Sequence, residues 1–209
     1  MKLRVIIPIV ISIVSIILTL YQISVNNRQK LFDKRIENYS IVYGLIKLYG
    51  DNREDFNDKD VDFFSDIELK FFYLTNNPYL NEFSNMINDS MNDDYRKKFL
   101  LKLEELKAIA DISTFLYKRK YGEYIKDFVL SYVEVLFEMF KYELFLIRKA
   151  SSGSKGPSYE KHLNDSEKKK KDKLRIIIRN LDRAYEVLVD ENVDKKIKKQ
   201  IKIIEIWKL

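Results

Sequence analysis

The chain reads as an all-α protein: an N-terminal transmembrane helix that continues into a cytoplasmic bundle of about five or six helices. Three observations carry this. Residues Val5 to Tyr21 read VIIPIVISIVSIILTLY, and no charge interrupts the chain from Val5 until Arg28. Only 5 Gly and 3 Pro punctuate 209 residues, which leaves long amphipathic runs and too few turns for a many-stranded sheet. Apolar residues in those runs recur every three or four positions, as a helix requires.

A helix rises about 1.5 Å per residue, so roughly 20 apolar residues cross a hydrocarbon core of about 30 Å. Residues 1–27 form the expected anchor. A buried core helix is one rival reading, but such a helix is usually shorter and carries a polar face; a cleaved signal peptide is the other. Lys2 and Arg4 supply its basic start, but no small-residue cleavage site follows, because no Ala precedes Ala108. Ser12, Ser15 and Thr19 are tolerated because their hydroxyls can bond their own backbone. Pro8 stands near the helix start, where a missing N–H does least harm. Flanking charge sets the direction: Arg28, Lys30, Lys34 and Arg35 outnumber Lys2 and Arg4, which places the C-terminal domain in the cytoplasm. The absence of Cys agrees with a reducing compartment.

Residues 28–209 are expected to form one helical domain. The anchor should run on to about Tyr49, with Phe32, Ile36, Tyr39, Tyr43 and Ile46 as one apolar stripe, ended by Gly50-Asp51-Asn52. Asn52 to Asp58 reads as an acidic loop. A second helix is expected from Asp60, its N-cap, through Phe64, Ile67, Phe71 and Leu74 to the Asn76-Asn77-Pro78 stop. A short helix should then carry Leu80, Phe83 and Ile87. Asn92 to Asp94 should cap a helix with Tyr95, Phe99, Leu103, Leu106 and Ala110 on one side, and Gly122 marks a break.

Tyr124 to Ile147 is the most apolar stretch of the domain. A second membrane span fails on charge, since Glu134, Glu138, Lys141 and Glu143 would each cost about 2.5–3.5 kcal/mol near the bilayer centre. The segment is instead a central helix with Glu134, Glu138 and Lys141 as a narrow wet stripe. ASSGSKGP at Ala150 to Pro157 marks an exposed loop over 150–165. Ser166 should cap a helix to about Asp190 with Leu174, Ile177, Ile178, Leu181, Ala184 and Leu188 inward. Asn192 should open a final helix with Val193, Ile197, Ile201 and Ile204 on one face.

Charge is unevenly spread over a net +6. Gly50 to Leu69 holds eight acids and two bases; Glu167 to Leu209 holds fourteen bases and eight acids. The basic end is expected near anionic lipid headgroups, because the anchor tethers it there. Lys195, Lys196, Lys198, Lys199, Lys202 and Trp207 are the candidate membrane-surface contacts, although the same helix is also needed to complete the core. Nucleic acid is the weaker reading, because Lys excess accompanies the Ile, Asn, Tyr and Phe bias of an AT-rich genome.

No catalytic, cofactor-binding or metal-ligating set emerges. Asp58, Asp60, Asp62 and Asp66 match positions 1, 3, 5 and 9 of a calcium loop, but Phe63 and Leu69 replace its glycine and its bidentate glutamate. His162 is the one histidine and has no Cys or His co-ligand. There is no Gly-x-Ser-x-Gly elbow and no Gly-rich phosphate loop. Helical ribonucleases of the HEPN family carry an Arg four to six residues before a His; here those positions hold Gly156, Pro157 and Ser158.

Arg28 to Tyr49 resembles the juxtamembrane segment of many uncharacterised bacterial single-pass proteins. These follow their anchor with a Phe-x-x-Arg-x-x-x-Tyr helix, matched by Phe32, Arg35 and Tyr39. The resemblance implies residence in the bacterial inner membrane, and for some members a place in anti-phage or mobile-element cassettes. It transfers no functional residue. The expected function is that of a non-enzymatic adaptor or scaffold whose partners are the bilayer and either a protein or a second copy. A membrane-acting effector is the alternative, and a helical nuclease a distant third.

Overall fold

The computed structural model describes residues 2–57, 66–84, 92–151 and 157–205. They form six α-helices: α1 (Lys2–Asn57), α2 (Ile67–Thr75), α3 (Asp93–Leu116), α4 (Arg119–Ser151), α5 (Pro157–Asp190) and α6 (Val193–Glu205). Among the described residues, a 3₁₀ turn, Asn81–Phe83, lies between α2 and α3. No strand is present among the described residues.

The first half of α1 packs against no other element among the described residues: its most apolar window is not buried at all. That segment is long and apolar enough to cross a membrane. Ser12 Oγ donates to the Pro8 carbonyl at 2.9 Å and Thr19 Oγ1 to the Ser15 carbonyl at 2.8 Å, so these hydroxyls are satisfied within the helix.

The second half of α1 enters the core by a face that overlaps the expected stripe only in part: Phe32 is buried and Tyr39 and Ile46 pack against the core as expected. Val42, Leu45, Tyr49 and Phe56 are buried, whereas Ile36 and Tyr43 are exposed. Both stripes have helical spacing, and only packing chooses between them. The helix also passes through Gly50 and Asn52 to Asn57. The expected stop and the acidic loop over 52–57 are therefore corrected. Gly50 serves close approach instead: a Cβ there would lie 2.5 Å from Tyr185 Oη. Beyond it, Arg53 binds Asp182 through two hydrogen bonds of 2.5 and 3.0 Å and reaches Glu186 at 2.7 Å. These contacts to α5 continue the helix where local sequence would end it.

Asp66 precedes α2 without a side-chain cap bond, and Asn76 ends it as expected. The expected N-cap Asp60 and Phe64 lie outside the described residues, as does Ile87. Leu80 and Phe83 are buried as expected, but on a turn and a 3₁₀ segment. Asn77 Oδ1 accepts from the amides of Tyr79 and Leu80 at 2.9 and 3.0 Å, which tightens that turn. Asn92 caps α3 by accepting from Asp94 and Tyr95.

Helices α3, α4 and α5 form an antiparallel core layer; α1 and α2 cover it, and α6 packs on α1, α4 and α5. Helix α4 is buried nearly all round, from Ile125 through Phe128, Tyr132, Leu136 and Met139 to Tyr142. Two aromatic groups flank it. Tyr49 meets Phe128 and Tyr185, while Phe99 meets Phe71, Phe83 and Phe140. Tyr132 Oη donates to the Leu74 carbonyl at 2.5 Å in a fully buried position.

Gly122 does not break α4, which begins at Arg119. A Cβ there would lie 2.6 Å from the Ser113 carbonyl oxygen and 2.7 Å from Thr114 Cα. The glycine lets the backbones of α3 and α4 touch. Similarly, α5 starts at Pro157, so the loop expected over 150–165 is corrected to helix from 157 onward, and Ser166 is exposed inside α5. Residues 152–156 lie outside the described residues. Pro157 suits a first helical position. Lys149 Nζ then ties the two helices by donating to Asn164 at 3.0 Å and Glu167 at 2.6 Å.

Candidate functional site

A cluster of long-range polar contacts lies where α1 leaves its apolar segment. Arg35 Nε donates to the Leu116 carbonyl at 2.6 Å, and Tyr117 Oη donates to the Arg35 carbonyl at 2.9 Å. Asn38 Nδ2 donates to the Ile109 carbonyl at 3.0 Å. Ser113 Oγ lies 3.1 Å from Asn38 Oδ1 and 2.8 Å from the Ile109 carbonyl and shares its proton between them. Asn38 and Ser113 are both buried. A buried amide left unpaired would cost about 1–3 kcal/mol, so this network sets the register of α1 against α3.

The opposite side of α1 holds α6. Tyr39 Oη donates to Asp194, and Lys198 pairs with Asp194 at 2.9 Å while sitting 4.9 Å above the Tyr43 ring. Gln200 Oε1 accepts from the Lys118 amide at 2.9 Å, which lays α6 over the corner between α3 and α4. Asn192, at φ 51°, makes the turn from α5 into α6; asparagine tolerates this left-handed backbone better than most residues.

Of the sequence-selected contacts, Lys195, Lys196, Lys199 and Lys202 are exposed on α6. Lys198 is drawn back onto α1 by Asp194 and Tyr43. Lys195, Lys196 and Lys199 border a shallow cleft with Tyr121, Asp190 and Glu191, whose acids offset part of their charge. Trp207 lies outside the described residues. Val193 and Ile197 are buried, so this face of α6 belongs to the core.

A larger groove of about 690 Å³ runs between α1 and α3. Its lining is mostly apolar (Leu31, Ile41, Ile109, Ile112 and Phe115), with Lys34, Glu37 and Glu105 among its polar members. Phe115 is 85% exposed. Hydrogen bonding from Lys102 holds the Glu105 carboxyl below its ordinary range. Sequence reasoning passed over Arg35 and Asn38 as packing residues and over Phe115 as a surface position. Arg35 and Asn38 had a positional signal, since 35, 38, 42, 45 and 49 lie on one face of α1; Phe115 had none.

No protein-family model matches this chain. Neither the curated proteins nor the solved structures provide a match.

His162 is exposed on α5. Asp58, Asp60 and Asp62 lie outside the described residues, and Asp66 is exposed at the start of α2. Among the described residues, no three His, Asp or Glu side chains converge as a metal site requires. The expected wet stripe of α4 is divided. Glu134 is exposed, but Glu138 lies between α4 and α5, paired with Lys141 at 2.6 Å and Lys173 at 2.9 Å. Burial pushes the Glu138 carboxyl up, and the two lysine hydrogen bonds outweigh it and hold it below its ordinary range. Glu143 is 9% exposed, and burial, followed by the charge of Glu68, pushes it up.

Proposed function

We propose that the chain is a membrane-anchored, non-enzymatic interaction protein of the bacterial inner membrane, with its helical bundle on the cytoplasmic side. The observation that supports this reading best is the continuity of α1. One helix, Lys2–Asn57, has an apolar half without a neighbour among the described residues and a second half built into the core. A bundle carried on such a helix cannot turn freely against its anchor, which suits an adaptor that presents a fixed face to its partner. The excess of Lys and Arg after the apolar segment supports the inward direction. The occupant expected is a protein partner or a second copy.

Three measurements test this. Full-length protein should stay in the membrane fraction through alkaline carbonate washing, and a reporter fused after Leu209 should read as cytoplasmic. Cross-linking in intact cells, followed by solubilisation, should then recover a stoichiometric partner or a homo-oligomer. A carbonate-soluble chain refutes the anchor, a periplasmic reporter refutes the direction, and a monomer without partner refutes the adaptor reading.

A further inference from the structure

The side chains nearest the end of the apolar segment do not all belong to α1. Val25 is the last apolar residue before Asn26, Asn27 and Arg28. Leu31 follows six residues later, about 9 Å further along the helix axis. The headgroup layer outside a hydrocarbon core is about 5–7 Å thick. Leu31 and Lys34 line the same groove as Phe115, so the last turn of α3 sits just above that layer. The Arg35–Leu116 and Tyr117–Arg35 hydrogen bonds clamp it there.

What this corner presents is unusual for a water-facing surface. Phe115 is 85% exposed, and Ile112 and Leu31 beside it are also exposed. The chain then turns through Lys118 and Arg119, both exposed and, among the described residues, outside every ion pair. An aromatic ring projecting from a helix end, followed by two cations, matches the layered chemistry of a bilayer surface. The ring favours the interface between acyl chains and headgroups, and the cations favour anionic phosphates.

We infer that the α3–α4 corner is a second membrane contact, in which Phe115 enters the interface of the leaflet where the anchor emerges while Lys118 and Arg119 bind its anionic headgroups. The inference rests on the anchor reading above. Position favours lipid over a second copy at this patch: Glu37 and Glu105 balance Lys34 within the groove, but the anchor holds the corner just above the headgroup layer, within a side chain's reach of it, where Lys118 and Arg119 meet anionic phosphates. The contact would fix the tilt of the bundle and so the face it offers to a partner.

The full-length chain has one Trp, so Trp207→Phe provides a silent background. Phe115→Trp in that background is reconstituted into vesicles of three parts phosphatidylcholine to one part phosphatidylglycerol. Part of the phosphatidylcholine carries bromine near the top of its acyl chains. Leu20→Trp reports on the anchor and Ser158→Trp on the far end of the bundle. Fluorescence of Phe115→Trp should fall about twofold in brominated vesicles, as for an interfacial aromatic, and that of Ser158→Trp should not change. Adding Lys118→Glu and Arg119→Glu should restore most of the Phe115→Trp signal while leaving Leu20→Trp quenched.

If Leu20→Trp is quenched and Phe115→Trp is as bright as Ser158→Trp, the second contact is refuted and the anchor stands. That result is also the one a covering second copy would give. Unquenched Leu20→Trp refutes the anchor itself. Quenching at Phe115→Trp that survives both charge reversals overturns the role given to Lys118 and Arg119.

Discussion

Gly44→Ala and Gly122→Ala should shift stability in opposite directions, although both glycines lie inside long helices. Replacing a helical Gly by Ala gains about 1 kcal/mol of propensity where space allows. At Gly44 a Cβ meets nothing within 4 Å, so the gain should appear nearly whole. At Gly122 the new Cβ would stand 2.6 Å from the Ser113 carbonyl oxygen and 2.7 Å from Thr114 Cα. Both are backbone atoms, so no side chain can rotate away, and α3 and α4 must separate by most of an ångström. Overpacking of this kind costs typically 1–3 kcal/mol, and a backbone clash belongs at the upper end. Subtracting the propensity gain leaves Gly122→Ala about 2 kcal/mol less stable than wild type. For a domain of this size each kcal/mol moves the midpoint by about 2–4 °C. Thermal unfolding followed by circular dichroism in mild detergent should therefore show Gly122→Ala melting about 4–8 °C lower and Gly44→Ala about 1–4 °C higher. A Gly122→Ala midpoint at or above wild type would refute the claim that these backbones touch.

Three further outcomes follow from buried polar groups. Tyr132→Phe strips the Leu74 carbonyl of its donor and should cost about 1–3 kcal/mol, read as a lower melting midpoint; an unchanged midpoint contradicts the hydrogen bond. Asn38→Leu removes both hydrogen bonds that tie α1 to Ile109 and Ser113 and should speed amide exchange in the last two turns of α3 more than in α5; uniform acceleration would remove the register role given to Asn38. Glu143→Gln bears on pH. Burial raises the folded-state pKa of Glu143, so the folded protein binds the proton more tightly, and this group's contribution to stability falls as pH rises through and above the ordinary carboxylate range. The variant should gain stability relative to wild type at neutral pH, with the gap closing as pH falls below that range. A gap independent of pH would show that Glu143 is not destabilised by its charge.

Some elements were legible because one physical pattern admits one solution. Leu174, Ile177, Ile178, Leu181 and Leu188 make a single apolar face on an otherwise charged α5, and that face is buried. The cap at Asn92 and the stop at Asn76 rest on local hydrogen bonding and appear as read. Errors occurred where two solutions were locally equal. Between residues 32 and 49, apolar side chains mark two overlapping stripes, and the buried face is chosen by the helices that pack on α1. Glycine was read as a stop at Gly50 and a break at Gly122, because local reasoning treats it as a flexible residue. Its other property, lack of volume, matters only when another element comes close, and the sequence does not record which one does.

The candidate site divides in the same way. The apolar segment, its basic flank and the lysines of α6 are properties of continuous sequence. They follow from length, hydropathy and charge counted along the chain. Arg35 on the Leu116 carbonyl, Asn38 against Ser113 and Phe115 beside Leu31 join residues about 75 to 85 positions apart. These contacts exist only because α3 returns antiparallel along α1. By itself the sequence determined the all-helical class and the segment long and apolar enough to cross a membrane, since both depend on local period and composition. Tertiary structure alone decided which face of α1 is buried, where that helix ends and which side chains crowd its emergence from the apolar segment. Those outcomes depend on steric fit between distant segments, which no local pattern specifies.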